Sequence, residues 1–270
     1  MQYPLRLLLS APPSVRLQPE TIAYVAAVEA QDGQALESTV VAAIDDFITG
    51  CKADSIWNAI KASCILAGAR TLSGSLVPLA GTAPTNFNFV SGDYNRKTGL
   101  MGDGSTKYLN SNRNNNADPQ NSRHAAVFAT TRNTEDIPRA YIGSVFATEG
   151  GTQVFSGASP SKLSSRIADI TTITTTGNLH SANGFFGVNR SGSTQYQARG
   201  STTNETITQS SVAPGSANYL VFARNNRTGP VIDLYATARL AFYSIGESLD
   251  FALLDARVTT LINAIGAAIP

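Results

Sequence analysis

An antiparallel β-sandwich, mainly β and starting at about Phe87, is the fold class this sequence predicts. Three observations carry the prediction. After about Thr71, Gly, Pro and Asn punctuate the chain roughly every eight to twelve residues, as turns between short strands do. Several of the runs between them alternate with period two, the signature of half-buried antiparallel strands. Nothing resembling a crossover helix separates them, which leaves a sandwich or jelly roll with a helical lead-in and a C-terminal helix.

The elements follow in order. Residues 1–18 read as an extended N-terminal arm: Pro4, Pro12, Pro13 and Pro19 forbid a helix through it, and Leu5, Leu7, Leu8 and Leu9 make it apolar. Such an arm is expected to dock on its own body or on a neighbouring subunit, so these four leucines are the candidate assembly contacts. Residues 19–70 form the lead-in, with three helices expected. The first spans about Glu20 to Ala30, with Ile22, Val25, Ala26 and Val28 as its stripe and a stop before Gly33. The second spans about Leu36 to Lys52, with Val40, Ala43, Ile44, Phe47 and Ile48 on one face and Asp45 and Asp46 pointing away. The third spans about Ser55 to Leu66, with Ile56, Trp57, Ile60 and Cys64 buried, Asp54 or Ser55 as N-cap and Gly68 as stop.

Residues 71–270 are the sandwich domain. Its runs include Asn86–Val90, Ala125–Ala129, Tyr141–Phe146, Gly184–Val188, Ser193–Ala198, Asn218–Ala223 and Ala238–Ile245. Thr171 to Gly177 is read as an exposed strand or turn. A final helix, about Leu249 to Ile265, is expected to follow Ser248 as N-cap, with Leu249, Ala252, Leu253, Ala256, Leu261 and Ile265 inward.

Composition narrows the function. Hydrophobic residues make up 42% of the 270, enough for a core, but charged residues only 14%, well under the roughly 25% of ordinary soluble proteins. The polar surface therefore has to come from Ser, Thr, Asn, Gln and Gly, which suit strands and turns. A net charge of +1, with Arg190, Arg199, Arg224 and Arg227 scattered through the β part, argues against a nucleic-acid binder. Cys51 and Cys64 lack the partners of a zinc site and read as buried thiols, with a disulfide left open. No segment reads as long and apolar enough to cross a membrane, and the leucine-rich start, broken by Pro4 and Arg6, does not read as a signal peptide. The expected folding compartment is a cytoplasm.

Catalytic equipment is sparse. His124 and His180 are the only histidines, neither has a partner at metal-ligand spacing, and no Gly-x-Ser-x-Gly is present. A glycosidase pair would have to come from Asp93, Asp103, Asp118, Glu135, Asp136, Glu149, Asp169, Glu205 and Asp233, among which no pair stands out. Gly102-Asp103-Gly104-Ser105 lacks the Lys-Ser/Thr of a phosphate loop and reads as a turn into a strand. Asp103 and the Asn112 to Asp118 cluster carry oxygens that suit Ca²⁺, without EF-hand spacing. No cofactor is implied. Aromatic rings stack on sugar C–H faces; of the rings available, Phe185, Phe186, Tyr196 and Tyr219, the last two are taken as candidate glycan contacts, with core packing as the competing duty.

Lys97-Thr98-Gly99-Leu100-Met101-Gly102-Asp103-Gly104-Ser105-Thr106-Lys107-Tyr108-Leu109 resembles the opening strand of concanavalin-like, laminin-G-type jelly rolls. Arg239-Leu240-Ala241-Phe242-Tyr243-Ser244-Ile245-Gly246, followed by a helix, resembles how such domains end in bacteriophage virion proteins. The lead-in Ile44-Asp45-Asp46-Phe47-Ile48-Thr49-Gly50-Cys51-Lys52, then Ile56-Trp57, is similar to the same proteins. Legume lectins of this fold use a Ca²⁺/Mn²⁺ carboxylate cluster, and this sequence shows none. The resemblance implies a non-enzymatic virion structural protein of a phage tail, baseplate or fibre, made in the host cytoplasm. It would be a homo-oligomer with other virion proteins as partners and host-surface carbohydrate as a contact, and without nucleic-acid binding or membrane insertion. The alternatives are a capsid decoration protein whose arm laces neighbouring subunits and a carbohydrate-binding or polysaccharide-degrading module.

Overall fold

The computed structural model describes residues 16–157, 159–229 and 231–270. Leu5, Leu7, Leu8 and Leu9 lie outside them. Two sheets face each other. The first, of eight strands, runs in spatial order Thr203–Thr208, Gln195–Gly200, Gly184–Arg190, Arg123–Thr131, Arg239–Gly246, Gly99–Met101 and Tyr94–Asn95, and Ile60–Ile65 also pairs with Arg239–Gly246. The second, of nine, runs Ile173–Thr174, Leu163–Asp169, Gly151–Ser156, Arg139–Val145, Asn218–Val221, Tyr108–Asn114 and Thr85–Phe87. Arg224–Asn226 adds to it, parallel to Arg139–Val145 and hairpinned to Val231–Asp233. The chain is thus mainly β, an antiparallel sandwich with N-terminal helices and a C-terminal helix, as the sequence predicts.

Alternation along the strands divides the apolar residues between two cores. Ala125, Val127 and Ala129 face the second sheet with Val188, Tyr243 and Ile245. Their neighbours Ala126 and Phe128 face the other way, with Phe185 and Phe242, into a layer of helices. That layer is α1 (Pro19–Asp32), α2 (Ser38–Ala53) and α4 (Phe251–Ala268); α3 (Leu72–Ser75) is a single turn beside α1.

Pro19 opens α1, and Gly33 ends it in the left-handed region at φ 65°, its amide bonding the Glu29 carbonyl. The buried stripe is Thr21, Tyr24 and Val28; of the stripe expected only Val28 is buried, Val25 is half-buried, and Ile22 and Ala26 point to solvent. The face expected for α2 is buried throughout, but Asp45 is buried with it. Its carboxylate accepts from the Gln18 amide at 2.7 Å and the Thr21 hydroxyl at 2.6 Å, tying α1 to α2.

The expected third helix does not form. Asp54 ends α2, Ser55 adopts a left-handed φ of 60°, and after a 3-10 turn the chain becomes the Ile60–Ile65 strand. Ile56, Ile60 and Cys64 fit helical spacing, but strand pairing with Arg239–Gly246 sends Ala62 and Cys64 into one core and Ile60 and Ile65 into the other. Trp57 is consequently half-buried. In α4 the N-cap is Asp250, accepting from the Ala252 and Leu253 amides, rather than Ser248. This shift buries Phe251, Leu254, Val258, Leu261 and Ile265 and leaves Ala252, Leu253 and Ala256 exposed. Contrary to expectation, α4 is long and apolar enough to cross a membrane, with 18 residues and a mean hydropathy of 1.3. Its apolar side packs on Phe185 and Phe242.

Candidate functional site

The groups that would do chemistry are held in structural roles. His124 is fully buried, with Nδ1 2.6 Å from the Glu247 carbonyl and Nε2 2.7 Å from Ser244 Oγ. This is the contact of a nucleophile with its base, but Ser244 is itself buried in the sheet and no carboxylate orients the ring. His180 sits between the Pro160 carbonyl at 2.8 Å and the Tyr141 hydroxyl at 2.6 Å. Burial pulls both imidazoles down to about 4. Cys51 and Cys64 are free and buried, and burial pushes their thiols up to about 12.

Most of the candidate carboxylates are similarly committed, Asp136 and Glu149 being exposed. Asp93 pairs with Lys107, Asp118 with Arg113, and Asp233 with Arg224. Glu205 accepts from the Thr176 and Gly177 amides, and Glu135 meets Thr237 and Arg139. The Asp103 turn accepts the Ser105, Thr106 and Lys107 amides and the Thr106 hydroxyl. Burial raises that carboxyl, but these bonds outweigh it and hold it well below the usual range. The Asn-rich stretch turns its oxygens onto its own backbone: Asn110 takes the Asn112 amide and Asn114 the Asn116 amide. Among the described residues no three His, Cys, Asp or Glu side chains converge as metal ligands do.

Tyr196 and Tyr219, the candidate glycan rings, are each 1% exposed. Tyr196 donates to the Ser165 carbonyl inside the sandwich and lies under the Arg190 guanidinium, and Tyr219 faces the same core. Strand parity turns both rings inward, so neither can stack on a sugar; they are core residues.

A different set of rings reaches the surface. Phe87, 37% exposed, lies on the edge strand Thr85–Phe87 opposite Tyr108 of Tyr108–Asn114. Their rings stack with centroids 4.4 Å apart and planes within 9°. Tyr235, from the connection after Val231–Asp233, brings a third ring to 6.3 Å from Tyr108. Asn88 explains why Phe87 stays outside while Phe89 is buried: its left-handed φ of 69° ends the strand and turns the chain, and its side chain donates to the Thr106 carbonyl. Arg139 fixes the Tyr235 segment, donating to the carbonyls of Tyr235 and Gly104 at 2.8 Å each. Among the described residues neither the Tyr108 nor the Tyr235 hydroxyl has a hydrogen-bond partner. Burial, and for Tyr235 also the nearby Asp103 and Asp233 carboxylates, raise these phenols, so both stay protonated donors at neutral pH. The result is a ledge of three rings, two of them bearing hydroxyls without a partner among the described residues. The sequence names Phe87 and Tyr108 only within strands; their stacking depends on a register that no local pattern reveals.

No family model matches the chain, and no curated protein does. Among solved structures, the botulinum neurotoxin serotype D binding domain superposes with a TM-score of 0.50 at 9% identity, covering 75% of this chain and 51% of that one. The CBM40 of Ruminococcus gnavus IT-sialidase gives 0.39 at 8% identity, covering 51% and 82%. The NanB sialidase from Streptococcus pneumoniae gives 0.36 at 12% identity, covering 58% and 27%. The chain spans about half the length of the neurotoxin domain, and at these identities the likeness is one of fold: a β-sandwich.

Proposed function

We propose that this chain is a non-enzymatic binding module that takes carbohydrate on the Phe87–Tyr108–Tyr235 ledge, built into a virion structural protein of the tail, baseplate or fibre kind its motifs resemble. The observation that carries the binding reading is the ledge. A stacked aromatic pair left partly in solvent, with two phenol hydroxyls that have no partner among the described residues, offers a face for sugar C–H groups and donors for sugar oxygens. The non-enzymatic reading is supported by the commitment of both histidines and of the paired and amide-held carboxylates to structural partners. The virion setting is supported by the motif resemblance alone. A homo-oligomer carrying many such ledges would gain avidity from weak single contacts. A capsid decoration role is the second reading, favoured by the apolar arm sequence.

The experiment is a titration of the protein with bacterial surface polysaccharide fragments, sialyllactose and neutral oligosaccharides. A ligand is expected at weak single-site affinity. Phe87→Ala should weaken it several-fold, since aromatic stacking contributes about 0.5–1.5 kcal/mol, while Phe87→Trp should retain it. Binding unchanged in Phe87→Ala and Tyr235→Ala would remove the ledge from the reading. Release of reducing sugar from any of these polysaccharides would replace the module with an enzyme.

A further inference from the structure

On the helix side of the first sheet, between α4 and the strands Arg123–Thr131 and Gly184–Arg190, lies a pocket of about 260 Å³. Phe128 and Phe185, cross-strand neighbours and both buried, give it an apolar wall. Asn183, Thr202 and Thr259 line it as well, with Asp255, which is 6% exposed. Ser201 and Thr202 form the two-residue turn between Gln195–Gly200 and Thr203–Thr208, and both are left-handed, at φ 48° and 64°. Asn-Gly is the ordinary occupant of such a turn, and a β-branched residue there is strained. Strain held at the mouth of a pocket points to a side chain kept for what it touches.

We infer that this pocket binds one ring of a neutral saccharide. The inference rests on the carbohydrate reading proposed above and adds to it a site apart from the ledge. The lining decides the class of ligand. Asp255 brings no net charge, because Arg199 Nη2 lies 2.7 Å and Nε 2.8 Å from its Oδ2. Its Oδ1 takes one donor, Thr259 Oγ1 at 3.1 Å, and a carboxylate oxygen has room for a second. Asn183 Oδ1 accepts from the Arg132 amide at 3.0 Å, which fixes the carboxamide; among the described residues its Nδ2 has no acceptor. Thr202 Oγ1 donates to the Ser201 carbonyl and keeps its lone pairs. The pocket thus sets two acceptors and a donor group around an apolar wall. A sugar ring matches that lining, since each hydroxyl both donates and accepts and the C–H face covers the rings. An apolar ligand would strip water from these groups without replacing its hydrogen bonds, and an ion would meet no uncompensated charge in the lining.

Amide NMR of the full chain, titrated with methyl glucoside, methyl galactoside and methyl N-acetylglucosaminide, tests it, because one titration reads pocket and ledge separately. At least one glycoside is expected to shift the Asn183 side-chain amide and the Gly184 and Thr202 backbone amides in a saturable way. Asn183→Ala should weaken that response at least fivefold. Thr202→Gly should weaken it too while raising the melting temperature by about 2–4 °C, since glycine relieves the left-handed turn. Glycosides that move only the amides of Phe87 and Tyr108 would overturn the inference and leave the ledge; glycosides that move only the pocket would support it and remove the ledge. No response at the pocket from any of the three, or a response unchanged in both variants, would overturn it.

Discussion

The two sheets of this sandwich are built from different surfaces. The first is apolar on both faces: Val127 and Ile245 meet the second sheet, while Phe128, Phe185 and Phe242 meet α2 and α4. The second gathers its apolar cluster inside, through Ile142, Val154, Leu163 and Ile167, with Phe155 and Leu220 buried outside that cluster. Its outer side is closed by short polar contacts. Gln153 donates to Thr172 at 2.6 Å and accepts from Arg224, Ser164 meets Thr174 at 2.7 Å, and Arg166 donates to the Ile170 carbonyl. The first sheet is a wall with helices behind it; the second is covered outside by side chains that are themselves buried, Gln153, Ser164 and Arg166 among them, and the ledge lies at its edge. The contrast also accounts for the low charge. Serines, threonines and amides, bonded to one another and to backbone, cover a surface that most proteins cover with ions.

Acid should produce the largest effect and touch both sheets. His124 bonds strands of the first, and His180 leans on Tyr141 of the second. Both imidazoles are held neutral when folded, near 4, against an ordinary 6.5. Because the folded value is the lower, protonation favours the unfolded chain. Their contribution is complete above pH 6.5 and is lost as pH falls from there towards 4, about 3 kcal/mol per ring. Urea unfolding at pH 7, 5.5 and 4.5 should show the decline beginning near 6.5; a flat profile down to 4.5 would mean that both rings are hydrated.

Phe242→Ala, which empties a site against the edge of the Phe47 ring, should cost about 3–5 kcal/mol. Gln153→Ala on the other sheet removes two hydrogen bonds and should cost about 1–2 kcal/mol. Equal costs in chemical denaturation would break the contrast between the sheets. The smallest stability effect belongs to Phe87→Ala, about 0.5–1 kcal/mol, as expected of a partly exposed ring that loses one stacked partner. A loss above 2 kcal/mol would make the ledge part of the core rather than a surface for ligand.

The sandwich was legible where one strand face is wet or where the apolar run is long, as in Ala125–Ala129 and Ala238–Ile245. Gly151–Ser156 and Leu163–Asp169 leave a weak trace in the sequence because Ser, Thr, Gln and Arg among their positions dilute the alternation. Ile60–Ile65 is ambiguous in sequence because its apolar residues satisfy helical spacing as well, and only its partner 179 residues away, Tyr243 opposite Cys64, decides the matter. Tyr196 and Tyr219 illustrate the same limit at the level of function. An aromatic residue on a strand is easily seen in sequence, but which way it points depends on parity set by neighbours far along the chain. Phe87 is turned outward by Asn88, a local cause in plain view, yet its value as a site comes from Tyr108 and Tyr235.

The Arg239–Gly246 strand has a further consequence, for synthesis. It lies at the centre of the first sheet, bonded to Arg123–Thr131, Gly99–Met101 and Ile60–Ile65, although all three precede it by more than a hundred residues. A growing chain therefore carries these strands without the partner that joins them until residue 246 has left the ribosome, with apolar edges open throughout. Chains cut short before Arg239 should be held by chaperones or lost to aggregation, and slower translation would lengthen the exposure rather than help.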